Sequence, residues 1–229
     1  MRTRTGPVTT LLFDMDNTLF DLVGAQLASC REVCRHLGYD DGHELFDYFL
    51  RPVRGFESHE NILDYMVDRD IPADSRYEKA RRIYEDTKLQ SISPYEGVLE
   101  TLACLSEQGY RMAIVTDAHS RDAAMRLEKI GLLPFFDCLI SYDMSGKKKP
   151  APDSFLLALE TLQSEIGETV TIGDSPRRDI EPCHALGIKT VYARYGDWFS
   201  DDRSNVQADY EIDSMKELPG ILVTIRREK

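Results

Sequence analysis

The chain has 229 residues, 42% of them hydrophobic and 30% charged, with a formal net charge of −12. That length admits one large α/β domain or a core domain carrying a smaller one. The acidic balance lacks the basic footprint that a nucleic-acid partner needs and disfavours docking on anionic membranes, and no stretch approaches the roughly 20 apolar residues of a membrane helix.

Five cysteines, Cys30, Cys34, Cys104, Cys138 and Cys183, are scattered and form no CxxC pair. This spacing indicates neither a zinc ribbon nor a thioredoxin-type redox site, and free thiols in a reducing compartment are expected. The segment Met1 to Pro7 carries two arginines but no apolar run follows it, so a cytoplasmic location is expected.

In chain order, Val8–Phe13 is a short apolar, β-branched run that ends in acidic residues. It reads as a buried parallel strand delivering Asp14 at its carboxyl end. From Phe20 to about Ile92 the period turns helical, with predicted helices at Leu22–Leu37, His43–Leu50, Glu60–Asp68 and Arg76–Leu89. Gly38, Pro52, Gly55 and Pro72 punctuate them, which predicts a small helical insert over residues 20–92.

After Pro94 helices and strands alternate. Helices are predicted at Val98–Glu107, Arg121–Ile130, Asp153–Gln163 and Ile180–Leu186. Strands are predicted at Arg111–Thr116, Cys138–Ser141, Thr169–Ile172 and Lys189–Ala193, with a short strand at Tyr210–Ile212 and a closing helix at Glu217–Arg226. Such alternation implies a parallel sheet with helices on both faces, built from residues 1–19 and 93–229. Asp14 with Asp16, Thr116 and Asp174 each fall at the end of an apolar strand, where open parallel sheets bind their ligands.

These residue types suffice for phosphoryl transfer through a carboxylate. Asp14 can attack phosphorus directly, splitting hydrolysis into formation and breakdown of an acyl phosphate. A dianionic phosphate repels that nucleophile, so a divalent cation must screen it; magnesium suits, with Asp14 and Asp174 as its carboxylate ligands. Asp16 is placed to protonate the leaving alcohol and then deprotonate water. Thr116 offers a hydroxyl and Lys149 a compact positive charge to the phosphoryl oxygens. Asp179 is expected either to hold Lys149 or a metal-bound water, or to serve only as a helix N-terminal charge.

The run Leu11-Leu12-Phe13-Asp14-Met15-Asp16-Asn17-Thr18-Leu19 resembles the first motif of the haloacid-dehalogenase-like hydrolases. Thr116 after Ala113-Ile114-Val115 is similar to the second, Lys149-Pro150-Ala151-Pro152 with Phe155 to the third, and Gly173-Asp174-Ser175 with Asp179 to the fourth. The resemblance implies a Rossmann-like domain with a mobile helical cap, a phosphorylated Asp14, and magnesium held also by the backbone carbonyl of Asp16. It implies phosphate rather than halide chemistry, because the dehalogenating branch usually lacks the second aspartate. Asp117 departs from the asparagine common at its position, and its side chain is expected to point away from the phosphoryl group or meet a cation.

Outside the motifs, Lys147 and Lys148 read as surface charges, and Arg177 and Arg178 as surface or phosphate-steering groups. Trp198 reads as loop packing, and His59 as a surface histidine. Arg51 and Arg54, in a loop of the helical insert, are candidates for substrate selection. The leading expectation is a magnesium-dependent phosphatase of a small phosphorylated metabolite, active as a monomer or weak homodimer. A sugar phosphomutase of the same superfamily and a non-catalytic binding protein that retains the fold are the alternatives.

Overall fold

A computed structural model describes residues 6–199 and 206–227; the amino-terminal arginines Arg2 and Arg4 lie outside that range. The chain divides into two compact units, one formed from the chain up to Asp21 and from Ser93 onward, the other from Leu22–Ile92. No described helix is long and apolar enough to cross a membrane.

The first strand, β1 (Thr10–Phe13), is wholly buried. The helical unit follows as α1 (Leu22–Leu37), α2 (Gly42–Leu50), α3 (Glu60–Val67) and α4 (Ser75–Ser91). Its core gathers Val33 and Cys34 of α1, Leu45 and Phe49 of α2, Ile62 and Tyr65 of α3, and Tyr84 of α4. Asp41 caps α2 by accepting the N–H groups of His43 and Glu44, and Asp74 caps α4 by accepting that of Arg76.

The chain then runs through α5 (Val98–Glu107), β2 (Arg111–Val115), α6 (Ser120–Lys129), β3 (Cys138–Ile140), α7 (Tyr142–Ser145), α8 (Asp153–Leu162) and β4 (Thr169–Gly173). It ends with α9 (Glu181–Leu186), β5 (Lys189–Ala193), β6 (Tyr210–Ile212) and α10 (Leu218–Arg227). All six strands pair in parallel in the order β3-β2-β1-β4-β5-β6, and the fold is α/β and Rossmann-like. Leu12, Ala113, Val115 and Ile140 pack on Phe155, Ala158 and Leu159 of α8. Alternation sends Phe13 to the opposite face, where its ring meets Phe136 edge-on at 5.9 Å.

Element ends fall within two residues of the expected ones, and two features differ in kind. The short α7 falls where the sequence reads as loop, because four residues are too few to show a helical period. Before α9, residues Pro176–Ile180 form a wide π-type turn in which the Ile180 N–H reaches back five residues to the Ser175 carbonyl. The regular helix therefore starts at Glu181 rather than Ile180.

Candidate active site

Successive strands build outward from β1 through β2 to β3, and then from β4 through β5 to β6 on the other side. The order thus switches between β1 and β4, and it is outside the carboxyl ends of the strands at such a switch that open α/β sheets bind their ligands. Register sets what lines it. Phe13 is level with Ile114 of β2 and Ile172 of β4, so Asp14 stands one step from both Thr116 and Asp174. The Asp14 N–H donates to the Ile172 carbonyl at 2.9 Å, and Asp14 is only 8% exposed.

The loop after β1 is folded tightly by its own backbone. Asn17 takes a left-handed φ of 64°, a conformation that asparagine tolerates better than most residues. The hydroxyl of the buried Thr18 lies 3.0 Å from Asp14 Oδ2 and 3.0 Å from Asp174 Oδ1, and accepts the Asp174 N–H at 3.0 Å. Its single proton serves one carboxylate at a time, so Thr18 ties the ends of β1 and β4 together. Tyr195 braces the loop from outside, its hydroxyl donating to the Thr18 carbonyl at 2.6 Å.

Lys149 reaches the same place from the loop before α8. Its buried Nζ donates to Asp14 Oδ1 at 2.5 Å, Asp179 Oδ1 at 2.6 Å and the Val115 carbonyl at 3.1 Å. Burial works against the ammonium charge, but Asp14, Asp179 and Asp117 outweigh it and hold the lysine above its ordinary range. Asp117 turns its carboxylate onto the backbone of that loop, accepting the Lys149 N–H at 2.8 Å. Thr116 is buried, and its hydroxyl accepts the Ala118 N–H at 3.1 Å.

Asp179 is folded back by the wide turn. Besides Lys149 it accepts the Ser175 N–H at 3.1 Å, so both of its oxygens are engaged. Carboxylate oxygens of Asp14, Asp174 and Asp179 lie within 4.8 Å of one another, all three residues buried. Burial, with the charges of Asp14 and Asp179, pushes Asp174 well above the usual carboxylate range. Burial pushes Asp179 up as well, with Lys149 offsetting part of the shift. Arg178, half-buried, feels the same charges and is held more basic than usual, since Asp179, Asp174 and Asp14 outweigh the effect of burial.

Asp16, on the loop after β1, is met by a buried arginine. Asp16 Oδ1 accepts from Arg126 Nη1 of α6 at 3.0 Å. The two candidate arginines of the helical unit are engaged by acids of that unit. Arg51 lies over the Tyr48 ring at 3.8 Å and meets Asp64 at 3.3 Å, while Arg54 pairs with Glu60 at 3.0 Å and Asp64 at 3.3 Å. His59 bonds Glu85 at 2.6 Å, Lys147 pairs with Asp153 at the surface, and Trp198 is 54% exposed.

Arg126, Thr18 and Tyr195 received no role from the sequence. Thr18 carried a signal in its place within the first motif. Arg126 carried a fainter one: it falls between Ala123 and Leu127 on the apolar stripe of α6, an uncommon position for an arginine.

A family model described as haloacid dehalogenase-like hydrolase matches residues 11–193. The chain is similar to a ribulose-1,5-bisphosphate 5-phosphatase of Halopiger xanaduensis, 31% identical over 236 residues that cover 93% of this chain and 99% of the relative. It is also similar to a glyceraldehyde 3-phosphate phosphatase of Pyrococcus furiosus, 29% identical over 95% of this chain and 93% of the relative. Among solved structures, a phosphatase of the same family from Thermococcus onnurineus superposes with a TM-score of 0.65 at 27% identity, covering 94% of this chain and 98% of that one. With the family match spanning most of its length and the motif residues gathered at one sheet edge, the chain belongs to the haloacid dehalogenase-like hydrolase family.

Proposed function

We propose that this enzyme, a phosphoric monoester hydrolase, releases phosphate from a small phosphorylated metabolite by way of an aspartyl-phosphate at Asp14. The observation that carries this reading is the fixed Asp14 carboxylate, bonded by Lys149 at 2.5 Å and approached by Thr18 at 3.0 Å at the switch point of the sheet. A nucleophile must be oriented, and these two contacts hold the Asp14 carboxylate in place.

The donor set fits a divalent cation. Three buried carboxylates crowd within 4.8 Å, and Asp174 and Asp179 stay above their ordinary range even with Lys149 among them. Lys149 and the half-buried Arg178 leave the three carboxylates short of positive charge, and a hard cation with oxygen ligands would supply it. Asp14, Asp174 and the backbone carbonyl of Asp16 are the proposed holders of magnesium, which would neutralise charge on the transferring phosphoryl group. Asp179, with both oxygens engaged, anchors Lys149 instead.

In the first half-reaction an Asp14 oxygen forms a bond to phosphorus while the bond from phosphorus to the alcohol oxygen breaks. The Asp16 carboxyl gives its proton to the departing oxygen. In the second, water bonds to phosphorus, the Asp14–phosphorus bond breaks, and Asp16 takes the proton from water. Lys149 and Thr116 hold the phosphoryl oxygens throughout. The helical unit, Leu22–Ile92, is assigned the part of a cap that selects the substrate.

The test is phosphate release from ribulose 1,5-bisphosphate, glyceraldehyde 3-phosphate, phosphoglycolate, hexose phosphates and nucleotides, with magnesium and with chelator. Magnesium-dependent release is expected, with kcat/KM ranking the substrates. Asp14→Asn is expected to reduce kcat by at least about 1,000-fold while the fold is retained. Turnover by that variant near the wild-type rate removes the covalent mechanism, and release that requires a sugar bisphosphate activator points to the mutase.

A further inference from the structure

Arg126 lies in the last turn of α6, and its side chain is 5% exposed. An arginine is rarely carried into an interior unless an anion meets it there, because the lost hydration must be replaced. Here the anion is Asp16, itself 19% exposed, whose Oδ1 accepts from Arg126 Nη1 at 3.0 Å across 110 positions of sequence. Asp16 stands on the tightly turned loop after β1, next to the left-handed Asn17. A short carboxylate at such a place has several rotamers open to it, and only some direct an oxygen toward a group bound at Asp14.

We propose that Arg126 is a positioning residue for proton transfer, acting through Asp16. Its guanidinium fixes the Asp16 carboxyl group, which as the acid gives its proton to the departing oxygen in the first half-reaction and as the carboxylate takes one from water in the second. The inference rests on the role given to Asp16 above. A planar guanidinium suits the task better than a point charge, because its rigid fork sets direction as well as distance. Arg126 also comes from α6, a regular element packed on the sheet, rather than from a loop, so the position it imposes is stiff.

The role has a signature that packing lacks. A leaving group that is a strong acid departs without a proton, whereas a sugar alkoxide does not. First-turnover rates are therefore compared, with magnesium, for the sugar phosphate ranked first in the panel above and for dinitrophenyl phosphate. Arg126→Met is expected to slow release of the sugar about 100-fold, with KM and the dinitrophenolate burst each within about threefold of wild type. Arg126→Lys is expected to recover about tenfold of the loss on the sugar phosphate. In an Asp16→Asn background, Arg126→Met should change either rate by less than about twofold, because the two residues act as one unit.

Equal losses on both substrates, or a loss that adds in full to that of Asp16→Asn, overturn the proposal and leave Arg126 a packing residue. If circular dichroism shows Arg126→Met unfolded, the same selectivity is read in Arg126→Lys: about tenfold on the sugar phosphate and within about threefold on the aryl ester. Failure of the underlying reading looks different. Asp16→Asn would then itself slow the two substrates equally, whatever happens at Arg126, and the proposal would fall with that reading.

Discussion

At position 173 the chain has room for a hydrogen and nothing larger. A Cβ there would stand 2.5 Å from both Cβ and Cγ of Asp179, the residue that the wide turn folds back beneath the site. Real carbon atoms do not approach that closely, so a side chain at 173 must drive Asp179 away from Lys149 and from the Ser175 N–H. The glycine of the fourth motif is thus explained by steric contact with its own aspartate rather than by an unusual backbone angle. Gly173→Ala is expected to lower stability by about 1–3 kcal/mol, the usual cost of overpacking. Its effect on kcat should exceed its effect on KM, because Lys149 loses one of its two carboxylate anchors. Chemical denaturation and steady-state kinetics check the two parts, and a variant with wild-type stability and turnover would show that Asp179 can yield at no cost.

Among the elements, strands and long helices were the legible part, because a buried parallel strand is an apolar run and an amphipathic helix repeats its apolar residues. Thr10–Phe13 and Thr169–Gly173 announce themselves in this way. What stayed hidden depends on partners distant in sequence. Arg126 shows in sequence only its place on the apolar stripe of α6, and its partner is unknown until Asp16, 110 positions away, is brought beside it. Asp117, expected to avoid the phosphoryl group or meet a cation, bonds the backbone N–H of Lys149, a contact that no local pattern foretells. Helix α4 hides another such network, for Lys88 is buried between Glu57 at 3.2 Å and Glu85 at 3.0 Å, and Glu85 also meets His59 at 2.6 Å. Burial disfavours the Glu85 anion, but the bonds from His59 and Lys88 outweigh it and hold the carboxyl at about 2, below its ordinary 4.5. A carboxyl depressed on folding stabilises fully above its unfolded pKa and loses that contribution as pH falls toward the folded one. The difference in denaturant midpoint between wild type and Glu85→Gln is therefore expected to be constant above about pH 4.5 and to shrink to less than half by about pH 3. A difference that holds steady through that range would mean that the Glu85 carboxyl is not depressed in the folded chain.

For the whole molecule the decisive quantity is charge. A chain of net charge −12 concentrates three buried carboxylates at one sheet edge, set against one fully buried ammonium. Folding without a cation must hold those like charges together, so a cation bound only by the folded state shifts the equilibrium toward it. The strain belongs to one unit, since Asp14, Asp174 and Asp179 all lie in the sheet domain while Leu22–Ile92 keeps a core of its own. The single tryptophan, Trp198, belongs to the sheet domain too, so its fluorescence reports the unfolding of the unit that carries the site. Magnesium at about 100 times its dissociation constant adds about 2.7 kcal/mol to a one-site folded state. For a domain of this size that corresponds to a rise of about 5–10 °C in the fluorescence-detected Tm. Asp174→Asn removes one of the proposed ligands and also relieves the crowding, so its Tm without magnesium should equal or exceed that of the wild type, and magnesium should move it by less than about 2 °C. An equal magnesium shift in both proteins would place the cation away from Asp174, whereas no shift in either would mean that Lys149 and Arg178 balance the cluster without a metal.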